Sequence, residues 1–260
     1  MQLRLEGKVI VVTGGAKGIG AAITRACAEE GAIPVVIDRD AEAGRQIENE
    51  LAKAGAKATW IKAELSAHEE CCRATETVIE KYGRVDGLVN NAGVNDRVGL
   101  EHGSPEEFVA SLQRNLLHVY AMAHYCLPHL KESHGAIVNI SSKVAVTGQG
   151  GTSGYASAKG AILALTREWA AELLPYGIRV NAILPAEVMT PLYRQWLNSF
   201  PEPEVKLKTI SSKIPLGQRM TCAEEIAAAA IFLLSEKAGH ITGQHWFVDG
   251  GYVHLDRALT

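Results

Sequence analysis

Short apolar runs alternate with longer amphipathic stretches along the whole chain. Residues 8–13 (KVIVVT) form a nearly continuous β-branched run, the pattern of a strand buried on both faces. Comparable strand signals recur at 33–38, 58–62, 87–90, 135–140, 179–184 and 244–248. Between them the spacing of apolar positions predicts helices at 18–30, 41–54, 67–82, 105–131, 154–174 and 222–235. Three boxes (Ser66 with Glu69, Ser104 with Glu107, Thr221 with Glu224) mark helix starts. In each, the hydroxyl accepts from an orphan backbone N–H while the glutamate reaches back. Such alternation predicts an α/β protein, its parallel sheet linked by right-handed crossovers and covered by helices on both faces. One stretch breaks the rhythm. Residues 186–214 carry Tyr193, Trp196, Phe200 and three prolines, and read as an insertion above the sheet, a candidate substrate lid.

Composition narrows the picture. The 260 residues are 47% hydrophobic and 21% charged, enough for one substantial core, and no linker, repeat or low-complexity tract divides them. A single domain over 1–260 is expected. The balance of 26 Lys and Arg against 29 Asp and Glu leaves a net charge of -3 and no basic stripe, which argues against a nucleic-acid partner. The five cysteines are odd in number, and the adjacent Cys71 and Cys72 suit neither a disulfide framework nor a zinc site. Reduced thiols and no metal are expected. No stretch approaches the roughly 20 apolar residues that span a bilayer, and no leader pattern precedes the first strand. A cytoplasmic protein without a membrane partner is the expectation.

After the first strand comes Thr13-Gly14-Gly15-Ala16-Lys17-Gly18-Ile19-Gly20. Glycines at a strand-to-helix turn let the backbone approach a pyrophosphate, and the helix start supplies unpaired N–H groups and partial positive charge. The next strand closes on an acid, Asp38, placed to accept hydrogen bonds from an adenosine ribose. This is a Rossmann-like, doubly wound arrangement of about seven strands that binds a dinucleotide. Asp38 would repel the extra phosphate of NADP, so NAD is favoured. Lys17 and Arg39 could partly neutralise a 2′-phosphate, so NADP stays possible.

Further motifs follow in order: Asn90-Asn91-Ala92-Gly93, then Asn115, then Ser142, then Tyr155-Ala156-Ser157-Ala158-Lys159. With the Thr-Gly-x-x-x-Gly-x-Gly loop they resemble the short-chain dehydrogenase/reductase family over nearly the whole chain. Tyr155 and Lys159, four apart on a predicted helix, share a face. A tyrosine with a pKa of about 10 is a poor base, and an adjacent ammonium lowers that value. Tyr155 then takes a hydroxyl proton while hydride leaves the same carbon, and Ser142 holds the substrate oxygen. The resemblance implies that Asn115 organises a water-linked proton relay through Lys159, and that Lys159 touches the nicotinamide ribose. It also implies cofactor contacts at Ile19, Asn91, Ala92, Gly93, Pro185, Val188 and Thr190. Two departures stand out. Glu64-Leu65 replaces the Asp-Val common after the third strand, and Pro185-Ala186 replaces the usual Pro-Gly.

Around the expected nicotinamide end the residues are polar: Asn95, Asp96, Arg97, Gln149, Thr152 and Glu187, with Tyr193 or Trp196 to stack on a ring face. A steroid or acyl site would be lined mainly by apolar groups. This set suits a sugar. The segments around Ser142-Lys143, 147–155, 185–193 and the tail 249–259 resemble the bacterial L-fucose dehydrogenase branch, which implies oxidation at the anomeric carbon of an aldose, giving a lactone. The alternatives are an NADPH-dependent carbonyl, 3-oxoacyl or steroid reductase of the same family, and a non-catalytic dinucleotide-binding protein. Family membership further implies a homotetramer.

Overall fold

The computed structural model describes residues 2–256, so the last part of the resembling tail, Arg257 to Leu259, lies outside the described residues. Seven parallel strands form one sheet: β1 (Val9–Thr13), β2 (Ile33–Asp38), β3 (Thr59–Lys62), β4 (Gly87–Asn90), β5 (Ala136–Ile140), β6 (Arg179–Pro185) and β7 (His245–Val248). The strand order is β3-β2-β1-β4-β5-β6-β7. The chain winds outward from β1 through β2 to β3, returns to β4 beside β1, and winds outward the other way. Doubly wound sheets bind ligands at this reversal, outside the carboxyl ends of the strands.

Alternation along each strand sorts the core into two layers. Val9 and Val11 of β1 pack with Leu88 and Ile137 under the helices α3 (His68–Tyr82), α5 (His118–Ser133) and α6 (Ser153–Glu172). Ile10 and Val12 pack with Val89, Val138 and Ile140 under α1 (Gly18–Glu29) and, from the far end of the chain, a helix over Ala223–Leu234. The helix α2 (Ala41–Lys53) covers Val36 and Trp60 at the edge. Residues of the sheet are therefore apolar on both faces, which is why its strands read as continuous runs.

The segment predicted at 105–131 is α4 (Pro105–Leu112) and α5 joined by one π-helical turn, Gln113–Leu117. The capping box at Ser104 and Glu107 forms as predicted, with Ser104 Oγ accepting from Glu107 N and Glu107 from Ser104 N. The other two boxes do not. Ser66 donates instead to Glu64, and α3 starts behind Ala67 without a side-chain cap. The last helix starts one residue late, and Glu225 rather than Glu224 reaches back, to Cys222 N, because Arg219 holds the Glu225 carboxylate there. The irregular stretch after β6 contains two short helices, α7 (Pro191–Leu197) and α8 (Pro203–Ser211), ahead of the Ala223–Leu234 helix, α9.

Polar side chains inside the sheet stitch its centre to α6. Asn90 donates to Asn139 and Asn139 to Thr166, all three buried. Asn139→Leu would strand the Asn90 amide. It is expected to cost about 1–3 kcal/mol, the penalty of a buried unpaired donor; an unchanged urea midpoint would remove this chain from the account.

Candidate active site

A cavity of about 510 Å3 opens along the carboxyl ends of β1, β2, β3, β4, β5 and β6. Its floor is the β1–α1 turn. Gly14 has φ +61°, its N–H donates to Ile37 O, and a Cβ there would lie 2.9 Å from Ala92 Cα. A Cβ on Gly20 would collide with the Gly14 carbonyl. Gly20 is thus buried beneath the turn, while Gly14, Lys17, Gly18 and Ile19 line the cavity.

Two residues fasten this turn to the end of β4. The buried Thr13 hydroxyl donates to Val89 O and accepts from Asn91 N (3.0 Å) and Ala92 N (3.1 Å). Asn91 Nδ2 donates to Thr13 O and Gly14 O. Thr13 was not singled out from sequence, although it begins the glycine motif.

At the far end, Asp38 accepts from Ala16 N (3.2 Å) and Asp40 N (3.0 Å) and lines the cavity beside Arg39, Glu64 and Leu65. Both candidate cations are engaged by carboxylates. Lys17 pairs with Asp40, which raises the lysine pKa and lowers that of the aspartate. Arg39 pairs with Glu64 at 3.2 Å. The Glu64 pKa lies below the usual carboxylate range, burial opposing the hydrogen bonds from Arg39 and Ser66 that hold the charge. Three carboxylates thus face two already paired cations.

The catalytic candidates meet at the other end. Ser142 follows β5, and its hydroxyl accepts from Val144 N. Tyr155 and Lys159 lie one turn apart on α6, and Lys159 Nζ sits 5.5 Å from the centre of the Tyr155 ring. Lys159 is 3% exposed and donates to Ile140 O at 2.8 Å. Burial lowers its pKa to about 8. Burial also pushes the Tyr155 phenol up to about 12, with the Ser142 hydroxyl pulling the other way. The expected lowering of Tyr155 by Lys159 is therefore not seen in the protein alone, where burial dominates and Ser142 is the group that opposes it.

Asn115 lies in the π-helical turn, buried behind the wall rather than on it. Its Oδ1 accepts from Val94 N at 2.7 Å and its Nδ2 donates to Ser111 O. The side chain is spent on fixing the loop after β4, and a single π turn at such a place is a common feature of functional sites. His118, one turn later, also went unremarked in sequence. Its ring donates from Nε2 to Ala92 O (3.0 Å) because a carbonyl can only accept. Burial, then the Lys159 charge, lowers its pKa to about 4, leaving Nδ1 as a buried acceptor without a protein partner.

Asn91, Ala92, Gly93, Asn95, Pro185, Val188 and Thr190 line the cavity. Ala186 keeps an ordinary backbone conformation, so the loss of the usual glycine costs no strain. Thr190 Oγ1 accepts from Tyr193 N to cap α7 and keeps its own proton to donate. The substrate candidates scatter more. Arg97 and Gln149 are exposed and off the cavity wall. Asp96 is held by Arg114 and Ser111. Trp196 packs edge-on between Tyr193 and Phe200, its ring 5.0 Å from each, within the lid's own aromatic cluster. Glu187 lies just behind the wall, while Tyr193 and Leu192 form part of it. Among the described residues no His, Cys, Asp and Glu cluster could hold a metal, and no helix is long and apolar enough to cross a membrane.

Comparison with known proteins agrees with this geometry. The family model described as enoyl-(acyl carrier protein) reductase matches residues 14–253. The chain belongs to the short-chain dehydrogenase/reductase family. Within that family it is 39% identical to the L-fucose dehydrogenase of Oryctolagus cuniculus, over 95% of this chain and 86% of the relative. The crystal structure of Cj0485 dehydrogenase superposes with a TM-score of 0.95 at 46% identity, covering 100% of this chain and 99% of that one. The ligand-free aldohexose dehydrogenase of Thermoplasma acidophilum superposes with a TM-score of 0.89 at 30% identity, over 99% of this chain and 98% of its own. The chain is thus an NAD(P)-dependent oxidoreductase acting on CH–OH groups.

The glycine turn fits a dinucleotide: its closely packed backbone, the start of α1 and the Asp38 carboxylate all face one cavity. Thr13→Val, which keeps the shape and removes the hydroxyl, is expected to leave two amides without their acceptor. A stability loss of about 1–3 kcal/mol and weaker NAD binding by calorimetry should follow. Native affinity would show that this fastening does not shape the turn.

Proposed function

We propose that the protein oxidises the anomeric carbon of an aldose with NAD, the best candidate being L-fucose and the product its lactone. The observation that carries this reading is the joining of a Ser142–Tyr155–Lys159 group to a cavity whose substrate end is walled by Asn95, Tyr193 and, just behind, a buried Lys143–Glu187 ion pair. The names of the relatives support the same substrate class. Gly14, Lys17, Gly18, Ile19, Gly20 and Asp38 would hold the adenosine and pyrophosphate. Asn91, Ala92, Gly93, Lys159, Pro185, Val188 and Thr190 would hold the nicotinamide half. NAD is preferred because the cations beside Asp38 are already neutralised.

A bound oxidised nicotinamide would supply the hydride acceptor, and its positive charge would favour phenolate. The rest is done by the chain. Ser142 donates to the substrate oxygen and fixes it beside Tyr155. Tyr155 removes the hydroxyl proton as the carbon–oxygen double bond forms, and Lys159, held by Ile140 O, stabilises the phenolate that accepts it. Asn115 acts as a positioning residue through the loop that carries Val94. The 186–214 segment closes the substrate end as a lid of one domain. Exposed apolar side chains on α5 and its π turn, Leu117 and Tyr120, support a homotetramer built on that helix. Five unpaired thiols suit the cytoplasm. A second reading, reduction of an acyl or other carbonyl with NADPH, is supported by the description of the matching family model and by 36% identity to the 3-oxoacyl-(acyl-carrier-protein) reductase of Thermotoga maritima.

Oxidation needs the Tyr155 phenolate beside a charged Lys159, and burial holds the phenol in its protonated form. Aldose oxidation is therefore expected to rise from neutral to alkaline pH, and Tyr155→Phe to lose at least about a hundredfold in turnover while keeping NAD affinity. Initial rates with L-fucose, D-arabinose and D-glucose, with NAD or NADP, test both points. Activity confined to ketones or oxoacyl esters with NADPH would install the second reading, and retained turnover in Tyr155→Phe would remove the base.

A further inference from the structure

Directly after Ser142, the chain places an ion pair in the interior. Lys143 Nζ, on a side chain 9% exposed, donates to Glu187 Oε1, whose side chain is 16% exposed. The second carboxylate oxygen, Glu187 Oε2, accepts from Tyr193 OH at 2.7 Å. The ammonium also lies 4.0 Å from the centre of the Tyr252 ring. Three elements meet here: the turn after β5, the loop after β6 and α7. Their neighbours Ser142, Ala186 and Val188, with Tyr193 itself, line the cavity. The Tyr193 phenol is held far above its ordinary range, chiefly by burial and then by the Glu187 charge, so it remains a donor.

A buried ion pair is weak evidence for stability, because desolvating both charges costs about what their attraction returns. Its hydrogen-bonding capacity is more telling. An ammonium has three N–H groups and a carboxylate about four lone-pair sites. Lys143 spends one donor on Glu187 and turns toward one aromatic face, and Glu187 accepts two bonds. A donor on Lys143 and acceptor positions on Glu187 are left side by side. Adjacent hydroxyls of a sugar ring need that combination, one oxygen accepting while its neighbour donates. A secondary alcohol without a second hydroxyl has nothing to offer it.

We infer that Lys143, Glu187 and Tyr193 form a diol-recognition subsite that selects polyhydroxylated rings over simple alcohols. The inference rests on the aldose reading above and assigns it particular atoms. Lys143 and Glu187, one layer behind the wall with a little of each side chain exposed, would meet two ring hydroxyls that enter between Ser142 and Tyr193, and Tyr193 positions the carboxylate and ties α7 down over it. No charge on the ring is needed.

The test replaces both charges together, Lys143→Gln with Glu187→Gln, so that neither is left buried and unpaired. The readout is kcat/KM for L-fucose relative to cyclohexanol, with deoxy analogues of the sugar at each ring position measured alongside. The subsite predicts a fall of at least about tenfold in that ratio, the worth of one hydrogen bond to a charged group, carried mostly by KM. It also predicts that wild-type enzyme discriminates against one or two deoxy analogues and that the double variant does not. Should the double variant fold poorly, Tyr193→Phe, which removes one hydroxyl, is expected to reduce the same discrimination. An unchanged ratio and unchanged deoxy discrimination in an enzyme that oxidises L-fucose would overturn the subsite alone. Wild-type oxidation of cyclohexanol but of no aldose would overturn the aldose reading and the subsite with it.

Discussion

Everything in the site depends on one close approach of backbone to backbone, that of the β1–α1 turn to the end of β4. Side chains at Gly14 or Gly20 would fill the gap, and the Thr13 hydroxyl with the Asn91 amide closes it by hydrogen bonds. Because β1 and β4 are neighbours at the point where the winding reverses, fixing this approach also fixes the crevice between their carboxyl ends. The loop after β4 is then pinned from behind by Asn115 and His118, which hold Val94 N and Ala92 O from a helix widened by a π turn. The cavity floor and the helix that carries it are thereby one hydrogen-bonded unit.

Electrostatics divides the cavity into two ends with opposite tasks. At the β2 and β3 side, Asp38, Asp40 and Glu64 outnumber Lys17 and Arg39, and each cation already has its partner. These pairs are exposed and individually worth little, yet together with Asp38 they leave a net negative surface, on which the proposed preference for NAD rests. At the β5 and β6 side the charges are desolvated. Burial lowers the pKa of Lys159 and raises that of Tyr155, so forming the phenolate calls for a further positive charge, which a bound oxidised nicotinamide would supply.

The fold was legible because both faces of the sheet are covered. Alternating strand positions feed two apolar layers, so each strand reads as a run, and its boundaries fall within a residue of those observed. The helix starts were less so: the Ser66 and Thr221 boxes have the right letters, but Ser66 is taken by Glu64 and the later start is set by the Arg219–Glu225 pair. The residues proposed for the dinucleotide and for catalysis follow motif order, and the structure gathers most of them along the carboxyl ends of the strands, with Asn115 behind them in the π turn. The substrate wall was not legible in this way. Polar letters in loops do not reveal direction, so Arg97 and Gln149 point to solvent while Lys143, adjacent to Ser142, is turned inward by a glutamate distant in sequence. The π turn is likewise invisible, since its residues carry ordinary helical letters.

The central claim is that hydride leaves the anomeric carbon of an aldose while Tyr155 takes the hydroxyl proton. L-fucose carrying deuterium at that carbon, incubated with NAD and followed by nuclear magnetic resonance, tests it most directly. The account predicts deuterium in the reduced nicotinamide and a lactone as the first sugar product. Deuterium retained on the sugar, or a ketone formed at another ring carbon, would contradict it.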